Sequence, residues 1–293
     1  MSIFSSRIVS WISNMSTWKF KLPTLNLTLF KKNFGPKSLF NSQLTNMLQL
    51  SNMQTSGITL RNSPNKHTKI CVLIPAFNEE KNLEVLICQL RQEGIKNIFV
   101  IDGKSSDNTV KIAETMGATV LIQEGFGKGS AVRDALNTGL IDVDKLILMD
   151  ADGSMSPKEL PLFLDALESG ADVVKGSRFM KGGGTYDMSL LRRFGNYIIV
   201  STFNFLCGTK YTDLCYGYFG FNRQSIQKLT PLLQSKHFEI EAEILLKSEK
   251  LGLKVKEVPS IEFERKSGQS NLKTFRDGFS ILKTIIREFI ELS

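Results

Sequence analysis

The run "KICVLIPAF" (69–77) is almost wholly apolar, and the stretch after it changes period. In "NEEKNLEVLICQLRQEG" the residues Leu83, Leu86, Ile87 and Leu90 recur at helical spacing. That alternation repeats down the chain. "NIFVID" (97–102) predicts a second strand, and a helix follows from near Asp107 to Gly117. "TVLIQ" (119–123) and "KLILMD" (145–150) predict further strands, with "GKGSAVRDALNTG" between them as a helix with a glycine-rich start. In "SPKELPLFLDAL", Ser156, then Pro157 at the first helical position and Glu159 three residues after the cap spell a capping box. "ADVVKGSRF" (171–179) returns as a strand. Strand and helix in turn predict an α/β fold, a mostly parallel twisted sheet with helices on both faces.

Two later segments bear on membranes. "YIIVSTFNFLCG" (197–208) is too short for a span and is interrupted by Asn204, so a buried helix is predicted; no run of about 18 apolar residues occurs. "NLKTFRDGFSILKTIIREFIEL" (271–292) places Leu272, Phe275, Phe279, Leu282, Ile286 and Phe289 at helical spacing, with Lys273, Arg276, Lys283 and Arg287 around the stripe. An amphipathic C-terminal helix over 271–293 follows, suited either to a lipid headgroup layer or to packing on the sheet.

Charge divides the chain in another way. The first 69 residues contain no Asp or Glu but hold nine of the 37 Lys and Arg residues. The remaining 28 face all 29 Asp and Glu, so the net charge of +8 belongs to the tail. A core so balanced is not built to bind nucleic acid. Residues 1–68 read as a basic, disordered extension; their acid-free, hydroxyl-rich composition is also that of a targeting segment or of one leaning on anionic lipid. Cys71, Cys88, Cys207 and Cys215 show no C-x-x-C spacing, and only His67 and His237 could join them, which argues for reduced thiols in a cytoplasmic setting and against a zinc site. Residues 69–285 are the size of one α/β domain.

The candidate chemistry gathers on one rim. In "LILMDADGSMSPKEL" (146–160) two carboxylates, Asp150 and Asp152, close a buried strand. If the chain stays extended they point the same way, and two hard oxygen donors suit a divalent cation and the phosphates it brings. A solvated acidic turn is the alternative. Pro75 to Glu79, Asp102 to Asp107, Asp150 to Asp152 and Gly176 to Arg178 all follow predicted strands, and a parallel sheet sets those carboxyl ends on one ligand-binding edge. Asp102 could accept from a base N–H or a ribose hydroxyl, whereas Asp107 suits a helix cap. Neither a P-loop nor a G-x-G-x-x-G signature is present.

"VLIPAFNEEKNL", "VIDGKSSDNT", "GKGSAVRDAL", "LMDADGSMSP" and "KGSRF" resemble, in order and spacing, the family 2 glycosyltransferases of GT-A fold, within them the dolichol-phosphate mannosyltransferase group. The resemblance continues through "SLLRRFGN", "YTDLCYGYFGFNR", "FEIEAEIL" and "ERKSGQSNL", to about residue 285. It implies that Pro75, Phe77, Glu79 and Asp102 line a nucleoside pocket and that Asp150 and Asp152 hold Mg²⁺ or Mn²⁺ against the donor diphosphate. Arg178 and Arg192, with Lys128 as a looser match, would face phosphates; Arg265 and Ser270 would lie near the phosphate of a lipid acceptor. Two motifs depart from the family's pattern. The common D-D-G-S reads Asp102-Gly103-Lys104-Ser105, and the common G-x-S-K reads Gly268-Gln269-Ser270-Asn271.

The resemblance implies an inverting, metal-dependent transfer from a nucleotide-diphosphate sugar to a polyprenyl phosphate at a membrane face, by peripheral contact or with an integral membrane partner. A glycan hydroxyl acceptor would instead need a general base, for which Asp213 in "TDLCYG" is the best-placed acid. A sugar-nucleotide nucleotidyltransferase and a non-catalytic scaffold of the same fold are the remaining alternatives. The first lacks its glycine-rich signature near residues 69–80, and Asp150, Asp152 and Arg178 speak against the second.

Overall fold

The computed structural model describes residues 69–139, 141–265 and 274–290. Its strands are β1 (Ile70–Ala76), β2 (Asn97–Asp102), β3 (Thr119–Ile122), β4 (Lys145–Leu148), β5 (Val173–Ser177), β6 (Gly184–Thr185), β7 (Phe219–Asn222), β8 (Val255–Pro259) and β9 (Ile261–Glu262). Its helices are α1 (Glu80–Gln92), α2 (Thr109–Thr115), α3 (Lys128–Asn137), α4 (Leu160–Glu168), α5 (Leu190–Cys207), α6 (Arg223–Leu229), α7 (Ile240–Lys250) and α8 (Thr274–Ile290).

Seven strands pair in the order β3-β2-β1-β4-β7-β5-β8, while β6 and β9 form a separate parallel pair. All neighbours in the large sheet are parallel except β7, which runs antiparallel to both β4 and β5. The predicted mostly parallel α/β sheet is therefore present. The one reversed strand matters for function, because its amino end lies on the rim where its neighbours end, and it carries residues 213–218 there.

Alternation along the strands divides the core between two faces. Val72, Ile74, Ile147 and Val174 pack with Leu83, Leu86 and Leu90 of α1 and Phe163 of α4. Leu73, Leu146, Leu148, Val173 and Phe219 pack on the other face with α3, α5, α7 and α8. The helical stripe expected over 83–90 is the buried face of α1.

Two local expectations need correction, and a third is open between two outcomes. The capping box does not form: Ser156 makes no side-chain cap bond, and Pro157–Glu159 is a 3₁₀ turn before α4. The carboxylate of Glu159 instead accepts from Ser260 Oγ (2.5 Å) and Ile261 N (2.9 Å), since the β8–β9 junction offers donors that a helix start would have had to share. The segment 197–208 belongs to the 18-residue α5, which buries only Asn196, Ile199, Val200 and Phe203 on one side and turns Tyr197 and Phe205 to solvent. The stripe of α8, open to lipid or to sheet packing, divides: Leu282 packs on the core beside Ile281 and Ile285, whereas Phe275, Phe279 and Ile286 face outward; Leu272 lies outside the described residues.

Candidate active site

Strand β4 ends at Leu148, and the chain turns over Ala151 and Asp152 with Gly153 at φ +75°. The extended geometry expected for Asp150 and Asp152 is thus replaced by a turn, in which Asp152 Oδ1 accepts from Ser154 N at 2.9 Å. Both carboxylates still border the same space. Lys128 Nζ, at the start of α3, sits 2.5 Å from Asp150 Oδ1 and 2.7 Å from Glu241 Oε1 of α7. Burial alone would lower the Lys128 pKa, but the two carboxylates more than reverse that and hold it well above its ordinary value. Arg265 Nη2 lies 3.0 Å from Asp152 Oδ2, and its Nε 3.6 Å from Asp187 Oδ2.

Two cavities meet at Lys128, Asp150, Asp152, Phe238 and Arg265. The larger, about 380 Å³, is walled by Pro75, Phe77, Glu79, Gly103, Gln123 and Phe126. Phe126 is 71% exposed, with Lys104 Nζ 4.7 Å from its ring centre and donating to Glu124 O at 2.8 Å. Asp102 lies buried under this wall. Its Oδ2 accepts from Ser105 N at 2.9 Å, and its Oδ1 has no hydrogen-bond partner among the described residues. A Cβ at Gly103, where the common motif has its second acid, would stand 3.1 Å from Phe77 Cβ and press on that wall; the next residue, Lys104, has the left-handed φ of +64°. Burial pushes the Glu79 carboxyl up, against a 2.6 Å hydrogen bond from Asn82 Nδ2.

The smaller cavity, about 130 Å³, lies between the rim, α5 and α8, with Arg178, Arg192, Asn196, Tyr216 and Ile281 in its wall. Arg178 and Asp213 stand here in a relation the sequence did not indicate. Arg178 Nε and Nη2 donate to Asp213 Oδ2 (2.7 Å) and Oδ1 (2.9 Å), a two-pronged pair buried at both ends. Nη1 donates to Glu262 Oε1 at 3.0 Å and Nη2 also to Cys215 O at 3.0 Å. Four of the five guanidinium donors are so engaged. Burial would raise the Asp213 pKa, but Arg178 overrides it and holds the carboxyl below its ordinary value. The pair makes Asp213 a partner for Arg178 rather than an open base, and Arg178 a brace of the rim rather than a free phosphate fork. Lys175, fully buried below, donates to Tyr216 O (2.5 Å) and Gly176 O (3.0 Å); burial pushes it down to about 8.

The fold therefore gathers Pro75, Phe77, Glu79, Lys128, Asp150, Asp152, Arg178, Arg192 and Arg265 around two joined cavities, with Asp102 and Asp213 directly behind their walls. Ser270 lies outside the described residues. Sequence reasoning missed Gln123, Phe126, Glu241 and Gly217; for the last two, the only signal was their place inside "FEIEAEIL" and "YTDLCYGYFGFNR". Gly217 has a steric reason to be glycine. A Cβ there would stand 2.3 Å from Lys128 Nζ and 2.9 Å from Asp150 Oδ2. Gly217→Ala is expected to leave the circular dichroism spectrum unchanged while lowering turnover at least about tenfold, roughly 1.4 kcal/mol, by displacing that ion pair.

Among the described residues no group of three or more His, Cys, Asp or Glu could hold a metal. Asp150 and Asp152 supply two hard oxygens, which is what a Mg²⁺-type site takes when substrate phosphates complete its shell.

The chain resembles known proteins in family and in fold. A family model described as glycosyl transferase family 2 matches residues 71–230. The chain is 38% identical over 221 residues to "Glycosyltransferase AglJ" of Haloferax volcanii, covering 74% of this chain and 71% of that one. It is 30% identical over 224 residues to "Dolichyl-phosphate hexose transferase" of the same organism, covering 76% and 94%. Among solved structures, glucosyl-3-phosphoglycerate synthase from Mycobacterium tuberculosis, in complex with Mn²⁺, UDP-glucose and phosphoglyceric acid, superposes with a TM-score of 0.61 at 19% identity, covering 76% of this chain and 80% of that one. At that identity the likeness is one of fold.

Proposed function

The chain belongs to glycosyl transferase family 2, and we propose on that footing that it transfers a sugar, with inversion, from a nucleoside-diphosphate sugar to a polyprenyl phosphate at a membrane face. The observation that carries this reading is the meeting of two unlike cavities at Asp150, Asp152 and Arg265. One side is aromatic with a buried carboxylate behind it, and the other has arginines in its wall.

The nucleoside occupies the larger cavity. Phe77 and Phe126 offer faces to a base, and Asp102 Oδ1 is an acceptor still to be satisfied by a base N–H or a ribose hydroxyl. The diphosphate then reaches the junction, where Asp150 and Asp152 would hold Mg²⁺ or Mn²⁺, whose charge stabilises the leaving nucleoside diphosphate. Lys128 and Arg265 add fixed positive charge at the same place, where it matters most as the sugar–phosphate bond breaks. Arg192 faces the acceptor side. A phosphate acceptor is ionised at neutral pH, so its oxygen attacks the anomeric carbon without a base. In-line attack inverts that carbon and releases the nucleoside diphosphate.

The state of Asp213 favours this acceptor over a hydroxyl. A hydroxyl would need a base, and the carboxylate best suited by sequence is closed off by Arg178. A relative named for dolichyl-phosphate hexose transfer supports the same choice. No described helix is long and apolar enough to cross a membrane, so the proposed membrane contact is peripheral in these residues.

Thermal shift with UDP-, GDP- and dTDP-sugars, with and without Mn²⁺, is expected to show one base raising the melting temperature, with the larger rise in Mn²⁺. The matching donor should then label a short-chain polyprenyl phosphate in solution. Transfer to glycan hydroxyls with none to the lipid phosphate would overturn the acceptor; a shift indifferent to Mn²⁺ would overturn the metal.

A further inference from the structure

Lys104 stands where the common D-D-G-S motif has its glycine, and the backbone there is one that glycine suits. Its φ of +64° lies in the left-handed region, which a Cβ disfavours. Among the described residues only Asn78 and Lys104 take a positive φ without being glycine, and both lie in loops that border the larger cavity. Residues held in that region cluster at active sites and ligand clamps.

What the lysine adds is a tie between two loops. Its Nζ donates to Glu124 O at 2.8 Å and lies 4.7 Å from the centre of the Phe126 ring, so the loop after β2 holds the one between β3 and α3. That second loop needs a tie. Phe126 is mostly exposed and stands between two glycines, Gly125 and Gly127. Close approach forces both: a Cβ at Gly125 would stand 2.9 Å from Ser130 Cβ, and one at Gly127 2.5 Å from Lys236 O. An exposed ring between two flexible residues has little of its own to fix it. Asp134 Oδ2 accepts from Glu124 N (2.8 Å) and Gly125 N (3.2 Å), which holds the backbone, whereas Lys104 meets the ring itself. Two residues beyond Phe126 the chain reaches Lys128, at the junction of the two cavities.

We propose that Lys104 is a positioning residue for the donor, holding Phe126 in place as the exposed wall of the larger cavity on which the nucleobase stacks. This rests on the reading of that cavity as the nucleoside side. A cation held near an aromatic ring and one hydrogen bond to the loop backbone together amount to about tenfold in affinity when the loop must otherwise be ordered by the ligand. The proposal also gives a reason for a lysine at a position whose backbone favours glycine, since glycine could relax the turn but could not reach Phe126.

The test is calorimetric titration of the full chain with UDP, GDP and dTDP, each with Mn²⁺. Lys104→Gly should weaken whichever nucleotide binds the parent by about tenfold. Its melting temperature without nucleotide should stay nearly unchanged, because the relaxed backbone offsets the lost contacts. Lys104→Arg keeps a cation for the ring and should recover most of the affinity. Phe126→Ala should weaken the same nucleotide at least as much, and adding Lys104→Gly to it should weaken it no further. In transfer, the loss should appear in the donor KM more than in kcat. Unchanged affinity in Lys104→Gly would overturn the proposal and leave the nucleoside reading standing. Additive losses in the double variant would overturn it in favour of a direct contact between Lys104 and the donor. A melting temperature that falls in Lys104→Gly, with kcat falling alongside, would overturn it in favour of a structural brace. A parent that binds none of the three nucleotides would overturn the nucleoside reading itself, and this proposal with it.

Discussion

Asp152→Asn is expected to lower transfer by at least about a thousandfold, roughly 4 kcal/mol of transition-state stabilisation, while the chain stays folded. The side chain sits at the junction of the two cavities, with one oxygen bound to Ser154 N and the other to Arg265. An amide keeps the acceptor toward Ser154, so the turn survives. Its other end would then present N–H groups to the Arg265 guanidinium, donor against donor, and Arg265 would lose its anchor. The site would also lose one of its two anionic oxygens, and a divalent cation is poorly held by one carboxylate and an amide. Single-turnover transfer measures the first loss, and Mn²⁺ binding in the presence of the nucleoside diphosphate, read by electron paramagnetic resonance, measures the second. Turnover within tenfold of the parent would remove Asp152 from the site.

The residues that proved legible in sequence are those whose neighbours are set by local pattern. Apolar runs alternating with helical stripes give β1 to β5 and their helices, and a parallel sheet then brings Glu79, Asp102, Asp150 and Arg178 to one rim. What stayed hidden depends on partners far along the chain. Strand β7 has four residues and follows a long helix, α5, just as a parallel crossover strand would, so its reversal left no pattern. Glu159 carries a helix-start signature yet serves Ser260 and Ile261, more than 100 residues away. Arg178 reads as a phosphate ligand until its contact with Asp213, 35 residues on, is seen. Periodicity located α5 and α8 but not the outward turn of their apolar sides, because a stripe of Phe and Ile looks the same facing lipid or facing core. Family resemblance named charged residues that the fold does bring to the two cavities. The duties of those residues follow from which of them face one another.

That last point gives the second large effect. Asp213→Asn is expected to destabilise the chain by about 3 kcal/mol, the low end of the usual cost of removing one partner of a buried ion pair, because Glu262 still faces Arg178. Arg178 is almost fully buried, and its guanidinium is held chiefly by protein partners. An amide could accept one of its two prongs, with its NH₂ opposed to the other. Because the folded carboxyl lies below its ordinary value, its contribution is complete at neutral pH and is lost as the pH falls beneath the usual carboxylate range toward the lower folded value. The stability gap between parent and variant, from urea unfolding, should therefore be constant from neutral pH down to that range and close only below it. Arg178→Lys tests the geometry at fixed charge. One ammonium cannot span both Asp213 oxygens while also bonding Glu262 and Cys215 O, so turnover should fall at least about tenfold, roughly 1.4 kcal/mol, through a loosened 213–217 segment. Since that segment carries Gly217 against Lys128 and Asp150, the loss should appear in turnover more than in donor affinity. Combining Asp213→Leu with Arg178→Met should restore part of the stability lost by either alone, and none of the activity. Additive stability losses in that double variant would mean the two side chains do not act as a pair.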